Sequence, residues 1–216
     1  MSNEQLERNV SDELVWDPKV DNLAIAVKAD DGDVTLRGTV GSFREKREAA
    51  NAARRVYGVK RVDNDLKVKI MSDSKRDDAE LRGAVIQALL LDSSVPATVD
   101  ATVTDGVVTL TGSADWQFER DEAEFVAGNV LGVIAVVNEI SLTTMTPYAG
   151  DVQDSIRKAF KRNAKLDAEA VHVESRDGRV TLSGVVPSWS EHDAAVEAAW
   201  AAPGVMAVDD KIVVDY

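Results

Sequence analysis

The chain has 216 residues, 44% of them hydrophobic and 29% charged, which is typical of a globular protein and excludes a disordered one. Its formal net charge of −13 excludes nucleic acid as a general partner, because phosphate binding needs concentrated Lys and Arg. It contains no cysteine, which excludes disulfides, thiolate metal sites and a cysteine nucleophile.

The beginning of the sequence lacks the features of a secretory signal. Residues 1–8 are polar and partly acidic, without a basic start or a following apolar stretch. The longest apolar run, Val130 to Val137, is too short to span a bilayer, which needs about 20 residues. We therefore expect no transmembrane segment and a soluble, cytoplasmic protein.

The first 40 residues predict a helix and a β-hairpin. Leu6, Val10 and Leu14 have helical spacing. Two alternating runs follow: Leu23, Ile25 and Val27, then Val34, Leu36, Gly38 and Val40. Asp31-Gly32 between them indicates a type I′ turn, which needs positive φ at both central residues. The alternation buries one face of the sheet and leaves Thr35, Arg37 and Thr39 on the other.

A second helix and a third strand complete the unit. Ala49, Ala52, Ala53 and Val56 form one helical stripe of small side chains, so this helix can lie close to the sheet. Gly58 is expected to end the helix as its C′ residue, with the third strand beginning at once. The right-handed crossover predicts that strands two and three are parallel, whereas the strand order does not follow from the sequence.

The same signals recur twice at matching spacing. Asp105-Gly106 and Asp177-Gly178 repeat the turn, and each turn is followed by a strand glycine and a post-helix glycine. The structural glycines are Gly32, Gly38, Gly58, Gly106, Gly112, Gly132, Gly178, Gly184 and Gly204. We interpret the strand glycines Gly38, Gly112 and Gly184 as sites of close packing by the module's own helix.

The fold class is therefore α+β, with three tandem αββαβ modules. Each module is expected to be a small three-stranded mixed sheet with two helices packed on one face. The predicted boundaries are 1–72, 73–146 and 147–216, with linkers at Met71 to Asp78 and Thr143 to Gly150. Because a module of about 70 residues has a small core, we expect the three to pack together.

This pattern resembles the BON domain, a family named for bacterial osmotically inducible and nodulation proteins. The residues that carry the resemblance in module 1 are Gly32, Val34, Leu36, Gly38, Gly58, Val59, Val62 and Asn64, with Asn138 and Asp210 in the place of Asn64. The resemblance implies an αββαβ fold and no enzyme activity. It also implies binding to phospholipid membranes or cell-envelope surfaces, often in osmotic or envelope stress, and relatives that are commonly exported.

The chain offers no recognisable catalytic, cofactor or metal site. His172 and His192 lack suitably spaced partner ligands, and we interpret both as surface residues. The acidic run from Asp30 to Asp33 could hold a cation, but a solvated hairpin turn explains it better. An enzyme is the least favoured class, and no cofactor is expected.

Two clusters of cations are the candidate contacts for lipid or a partner protein. They comprise Arg44, Lys46, Arg47, Arg54 and Arg55 in module 1, and Arg157, Lys158, Lys161 and Arg162 in module 3. Residues 74–147 carry only four Lys/Arg against 12 Asp/Glu. Three interpretations of these cations are open: a solvated face, contact with anionic lipid, or pairing with acidic module 2. We rank the solvated face first. Trp189 is expected to cover the start of a helix, and Trp200 to contact a neighbouring module.

Three functions remain open. The first is a peripheral membrane or envelope-associated binder that uses the basic helices. The second is a protein-interaction or chaperone-like scaffold, and a third, weaker one is a cation-responsive module. The sequence does not indicate the oligomeric state.

Overall fold

A computed structural model of the chain describes residues 1–70, 76–143 and 151–216. The elements of module 1 are α1 (Asn3–Trp16), a 3₁₀ turn (Asn22–Ala24), β1 (Ile25–Asp30), β2 (Asp33–Val40), α2 (Phe43–Arg54) and β3 (Arg61–Val68). Those of module 2 are α3 (Asp78–Leu91), β4 (Asp100–Thr104), β5 (Val107–Thr111), β6 (Ser113–Ala114), α4 (Gln117–Gly128), β7 (Ala135–Asn138) and β8 (Ser141–Leu142). Those of module 3 are α5 (Val152–Arg162), β9 (Val171–Arg176), β10 (Arg179–Val186), α6 (Trp189–Trp200) and β11 (Ala207–Val214).

Each module has a three-stranded sheet with its second strand in the centre. The orders are β1-β2-β3, β4-β5-β7 and β9-β10-β11. The first pair of strands is antiparallel and the second pair is parallel, with Val34 opposite Val62 in module 1. The predicted α+β fold of repeated modules and the parallel pairing of strands two and three are both confirmed.

The hairpin turns have the predicted conformation. Asp31 and Gly32 have φ values of 48° and 92°, and Asp30 faces Asp33 across a two-residue loop. The first helix holds this turn, because the Asp31 N–H donates to Oδ1 of Asn3 at 3.1 Å. In module 2 the Asp78 carboxylate takes the same role for the turn at Asp105. The turn and the start of the first helix are therefore one unit.

The strand glycine is required by a close backbone approach. Gly38 has a φ of 131°, and a Cβ built there would overlap the carbonyl oxygen of Ala24, just before β1. Gly112 and Gly184 meet the carbonyls of Thr98 and Ala170 in the same way. The expectation that the module's own helix approaches these glycines is wrong, because the nearest atoms belong to the backbone that leads into the first strand.

The second helix is fixed by a buried carboxylate. Ser42 caps α2 by accepting from the Glu45 N–H at 3.1 Å. The Glu45 carboxylate in turn accepts from the Gly41 N–H at 2.7 Å and from the Asp21 N–H at 2.6 Å. This reciprocal cap satisfies donors at the helix start and also ties α2 to the segment before β1. Glu191 accepts from the Asp167 N–H at 2.6 Å in module 3.

The core of each module lies between its helices and one sheet face. In module 1 it includes Leu6, Val10 and Leu14 of α1 and the fully buried stripe Ala49, Ala52 and Ala53 of α2. In module 3, Ile156 and Phe160 of α5 meet Ala195 and Ala199 of α6 over the sheet. Because the alanines have short side chains, the second helix packs closely on the strands.

Three local expectations are corrected. Leu23 lies in the 3₁₀ turn before β1 and is 90% exposed, so it is not part of the buried strand face. Gly58 has the predicted positive φ of 93°, but α2 ends at Arg54, so the glycine follows a further turn and is not the C′ residue. The first linker is shorter than expected, because Asp78 already belongs to α3; residues 71–75 and 144–150 of the predicted linkers lie outside the described residues.

The described chain forms two compact units. The first contains the described residues 1–70, 76–114 and 119–141, and therefore module 1 and most of module 2. The second contains residues 115–118, 142–143 and 151–216, and therefore the described part of module 3. Modules 1 and 2 contact one another within the first unit through Arg47 and Asn129. The module boundaries at 72 and 146 stay a prediction.

Candidate functional site

Some of the basic residues in and directly after α2 make contacts that stabilise the fold. The Arg55 guanidinium donates to Glu13 at 2.9 Å and to Asp17 at 2.7 Å, and so bridges α2 to α1. The hydrogen bond with Asp17 raises the pKa of the Arg55 guanidinium above its ordinary value. The Lys19 backbone N–H, together with Arg55, lowers the pKa of the Asp17 carboxyl. Arg55 therefore stabilises module 1 and is not a freely available lipid contact.

Arg47 lies in the contact between modules 1 and 2. Its Nη2 donates to Oδ1 of Asn129 at 3.0 Å, and its guanidinium carbon stands 4.5 Å from the centre of the Phe125 ring. Burial lowers the pKa of the Arg47 guanidinium below its ordinary value. The Phe43 ring lies against Gly128, where an added Cβ would come within 2.8 Å of it. The basic helix thus docks on α4 of the acidic module, which the sequence had left as one of three alternatives.

The remaining candidates on α2 differ in their exposure to solvent. Arg44 is exposed, while Lys46 and Arg54 are half-buried. The side-chain amide of Asn64 donates a hydrogen bond to the Lys46 backbone carbonyl at 2.7 Å, and this bond holds α2 to β3. The five predicted cations of module 1 therefore do not form one equally accessible surface.

The contact of Arg47 with Phe125 should be measurable as a coupling energy. A double-mutant cycle of Arg47→Ala and Phe125→Ala is expected to give about 0.5–1 kcal/mol, the usual size of an exposed cation–π contact. Urea unfolding followed through the α4 amide resonances would measure it. The matched cycle with Arg44→Ala should give no coupling, because Arg44 is exposed; equal couplings in both cycles would contradict the contact.

The basic residues of α5 have a different environment. Ile156 and Phe160 are fully buried on one side of this helix, whereas Arg157, Lys158, Lys161 and Arg162 are all exposed. Lys158 pairs with Asp154 at 2.7 Å, but both side chains are more than half exposed, so the pair contributes little. Within the described ranges, Arg157, Lys161 and Arg162 make no ion pair or side-chain hydrogen bond. This helix presents accessible positive charge.

The outer end of the first helix differs among the modules. Lys161 and Arg162 of module 3 occupy the positions of Val15 and Trp16 in module 1 and of Leu90 and Leu91 in module 2. Trp16 is 83% exposed and Leu91 is 80% exposed. These four apolar residues were not among the candidates predicted from the sequence. Their signal is that they follow the buried stripe directly, on a turn where a soluble helix normally places polar side chains.

A groove between the first and second helices, called here the helix groove, also differs among the modules. Arg55, Asn129 and Ala201 occupy its equivalent positions, each three residues before the glycine that follows the second helix. Arg55 bridges the helix groove in module 1, and Asn129 binds Arg47 in module 2. In module 3, Ala201 lines an open cavity of about 490 Å³ between α5 and α6.

His192 is half-buried in module 3, so its interpretation as a surface residue is wrong. Its Nδ1 lies 2.9 Å from Oδ1 of Asp193, and its Nε2 lies 2.8 Å from Oδ2 of Asp210. Its ring packs edge-on against the Trp189 ring, with 4.7 Å between the ring centroids. Asp210 replaces an asparagine whose amide binds a helix carbonyl in modules 1 and 2. An aspartate lacks that donor, and His192 supplies the bond from the helix instead.

The charge state of His192 follows from these contacts. Burial alone would lower its pKa, but the hydrogen bond with Asp193 and the charge of Asp210 outweigh this, so the pKa is raised above its ordinary value of 6.5. Both ring nitrogens face carboxylate oxygens, which suits an imidazolium that donates from each nitrogen. The protonated form therefore holds α6 to β11.

We expect module 3 to lose stability as pH rises. Because the folded pKa of His192 is raised, its contribution is fully present below about pH 6.5 and is lost as pH rises through the folded pKa. Calorimetry should show a Tm that falls over this window. His192→Arg, which restores the residue type of Arg120 in module 2, should remove the fall, whereas His172→Gln should retain it. Parallel profiles for all three proteins would contradict this assignment.

In the described parts of the chain, no group of three or more His, Asp or Glu side chains is placed to hold a metal ion. His172 is exposed, with Glu174 at 3.4 Å. In the acidic turn, Asp30 accepts from Asn3 and Asp33 pairs with Arg61 at 2.8 Å, so these carboxylates already have partners. Trp200, for which a contact with a neighbouring module is the expectation from the sequence, is half-buried on the core of its own module.

The repeated fold and the matching glycine and valine positions define one class of small α+β module. The model of the BON domain family matches residues 2–70, 77–144 and 149–216. The chain therefore belongs to the BON-domain family, as its sequence pattern predicted. None of the helices in the described parts of the chain has the length and hydrophobicity that a membrane span requires.

Individual proteins are similar to this chain over much of its length. Osmotically-inducible protein Y of Escherichia coli (strain K12) is 33% identical over 145 residues, covering 65% of this chain and 72% of that protein. Two solved structures of CdsD, a structural protein of the type III secretion system of Chlamydia trachomatis, are each 14% identical. They cover 98% and 100% of this chain and 92% and 100% of their own, with TM-scores of 0.28 and 0.27.

Proposed function

We propose that this chain is a non-enzymatic binding protein that attaches to anionic phospholipid surfaces through α5 of module 3. The exposed and unbridged cations of α5 carry the proposal. Cations near an anionic leaflet contribute about 1 kcal/mol each, and α5 offers several on one short helix. The buried Ile156 and Phe160 hold this helix to the module, so its charged side can meet a surface without unfolding.

The comparison of α5 with α2 supports the choice between the two basic helices. Arg47 and Arg55 would have to leave Phe125, Asn129, Glu13 and Asp17 before they could bind lipid headgroups. Breaking such charge-assisted contacts costs free energy that the membrane would have to return. No comparable contact holds Arg157, Lys161 or Arg162 among the described residues.

Exposed apolar side chains supply a second kind of membrane contact. Trp16 and Leu91 lie at the positions that Arg162 holds in module 3, and tryptophan and leucine partition well into the membrane interface. Peripheral membrane binding draws on two contributions, burial of apolar side chains and attraction between cations and anionic lipid. Modules 1 and 2 offer the apolar side chains and module 3 offers the cation. The similarity to an osmotically inducible protein supports a role in osmotic or envelope stress.

A protein-interaction scaffold is the second candidate function. The docking of Phe43 and Arg47 on α4 within the first unit is the observation that favours it. Helix-to-helix docking between modules of one chain offers a pattern for binding other proteins. This function becomes the working hypothesis if the chain does not bind vesicles.

Vesicle flotation tests the membrane proposal. The wild type should float with phosphatidylglycerol vesicles at low salt and release them as salt is raised, because surface attraction is screened. Arg157→Glu, Lys161→Glu and Arg162→Glu combined should weaken partitioning by about a hundredfold, since three attractive charges are lost. The readout is the bound fraction at several lipid concentrations.

A matched variant controls for net charge. Lys67→Glu, Lys69→Glu and Arg179→Glu change the total charge equally but lie outside α2 and α5. This variant should keep most of the binding, and circular dichroism should show that both variants are folded. Two results would overturn the assignment to α5: an equal loss of vesicle binding in the two variants, or no flotation of any of the three proteins.

A further inference from the structure

The helix groove of module 3 is an open cavity with an apolar floor and two opposite charges. Its volume is about 490 Å³, within the range of small-molecule sites. Ala159 of α5 and Ala198, Ala201 and Ala202 of α6 supply apolar surface. Arg162 lines it from α5 and Glu197 from α6. The groove therefore suits an amphiphile better than a purely apolar or purely charged ligand.

Arg162 and Glu197 do not neutralise one another. Neither side chain takes part in an ion pair or side-chain hydrogen bond with any residue in the described ranges. A ligand that carries a phosphate and an ammonium group could satisfy both charges at once. Charge-assisted hydrogen bonds of this kind are the stronger ones in proteins, and arginine suits phosphate geometry.

The other two modules show what this groove accepts. In module 1 the guanidinium of Arg55 lies across it, bound to Glu13 and Asp17. In module 2 the residue equivalent to Glu197 is Phe125, and the Arg47 guanidinium stands over its ring. In both modules a guanidinium therefore lies at a position of the second helix that Glu197 or Ala201 occupies in module 3. Module 3 has Glu197 at that place and Ala201 where Arg55 would fill the groove, so a cation from outside can enter.

We propose that this groove binds the headgroup of phosphatidylethanolamine, with the phosphate at Arg162 and the ammonium at Glu197. The glycerol and the first methylenes of the chains lie over the alanines, and the rest of the lipid stays in the bilayer. The ammonium of this lipid can donate hydrogen bonds to a carboxylate, whereas the trimethylammonium of phosphatidylcholine has no N–H. This inference rests on the proposed membrane function and adds headgroup selection to it.

The first experiment compares vesicles with one fixed fraction of phosphatidylglycerol and a remainder of either phosphatidylethanolamine or phosphatidylcholine. The wild type should partition about tenfold more strongly into the phosphatidylethanolamine vesicles, as one charge-assisted hydrogen bond would give. Glu197→Gln should abolish this preference while phosphatidylglycerol-dependent binding remains. Glu169→Gln, which removes an exposed charge elsewhere in module 3, should keep the preference.

Filling the groove is the second arm. Ala201→Arg introduces the residue that module 1 has at this position, so the fold should tolerate it, and circular dichroism would verify this. We expect it to abolish the preference without reducing binding to phosphatidylglycerol. If the wild type binds phosphatidylglycerol vesicles but shows equal partitioning with the two remainders, the headgroup inference fails alone. If it binds no vesicle, the membrane proposal fails.

A measurement without membranes separates the lipid from its free headgroup. Short-chain dihexanoyl phosphatidylethanolamine in solution should shift the NMR methyl signals of Ala198 and Ala201, and Glu197→Gln should reduce the shift. O-phosphoethanolamine, which has no acyl chain, should bind at least tenfold more weakly, because the alanine floor then stays uncovered. Equal binding of both compounds, or no shift with either, would overturn the lipid assignment.

Discussion

The close packing of the second helix on the sheet is the constraint on which each module depends. Ala49, Ala52 and Ala53 are fully buried, and the counterparts of Ala49 and Ala53 in the other modules are the buried alanines Ala123, Ala127, Ala195 and Ala199. A larger residue would push the helix away from the strands and open a cavity beneath it. The buried Glu45 and Glu191 carboxylates fix the start of this helix by accepting backbone N–H groups. With its inner side so restricted, the helix can vary only on its outer side.

The three modules use that outer freedom differently. The position of Arg55, Asn129 and Ala201 carries a long cation, a short amide and a methyl group in turn. The first closes the helix groove with an ion pair, the second receives Arg47, and the third leaves a cavity. The change at the outer end of the first helix, from Trp16 and Leu91 to Arg162, follows the same principle. One backbone design thus presents three different surfaces.

Much of the fold could be predicted from the sequence because its determinants are local. Asp31-Gly32 specifies a turn through backbone conformation alone, and the spacing of Ala49, Ala52 and Ala53 specifies a helical stripe. Leu23 was misassigned because an alternating pattern does not tell where a strand starts. Gly58 was misplaced for a related reason: a positive φ allows several ways of leaving a helix.

The candidate site was less predictable, because accessibility depends on distant partners. Arg47 and Lys161 look alike in the sequence, but Arg47 donates a hydrogen bond to Asn129, 82 residues away, whereas Lys161 makes no ion pair or side-chain hydrogen bond with a described residue. His192 has neighbours in the sequence that suggest a polar surface, yet Asp210 and Trp189 enclose it. Only the folded arrangement separates cations that hold the structure together from cations that can bind something else.

The claim that α5 is the membrane-contacting helix is tested most directly by NMR of the isotopically labelled full chain. The chain would be titrated with nanodiscs that contain phosphatidylglycerol and, separately, with nanodiscs of phosphatidylcholine alone. If α5 contacts the membrane, line broadening with phosphatidylglycerol will concentrate on the amides of residues 157–162, with little change at Arg47 and Arg55. Broadening centred on α2, or the same broadening with both nanodiscs, would contradict it.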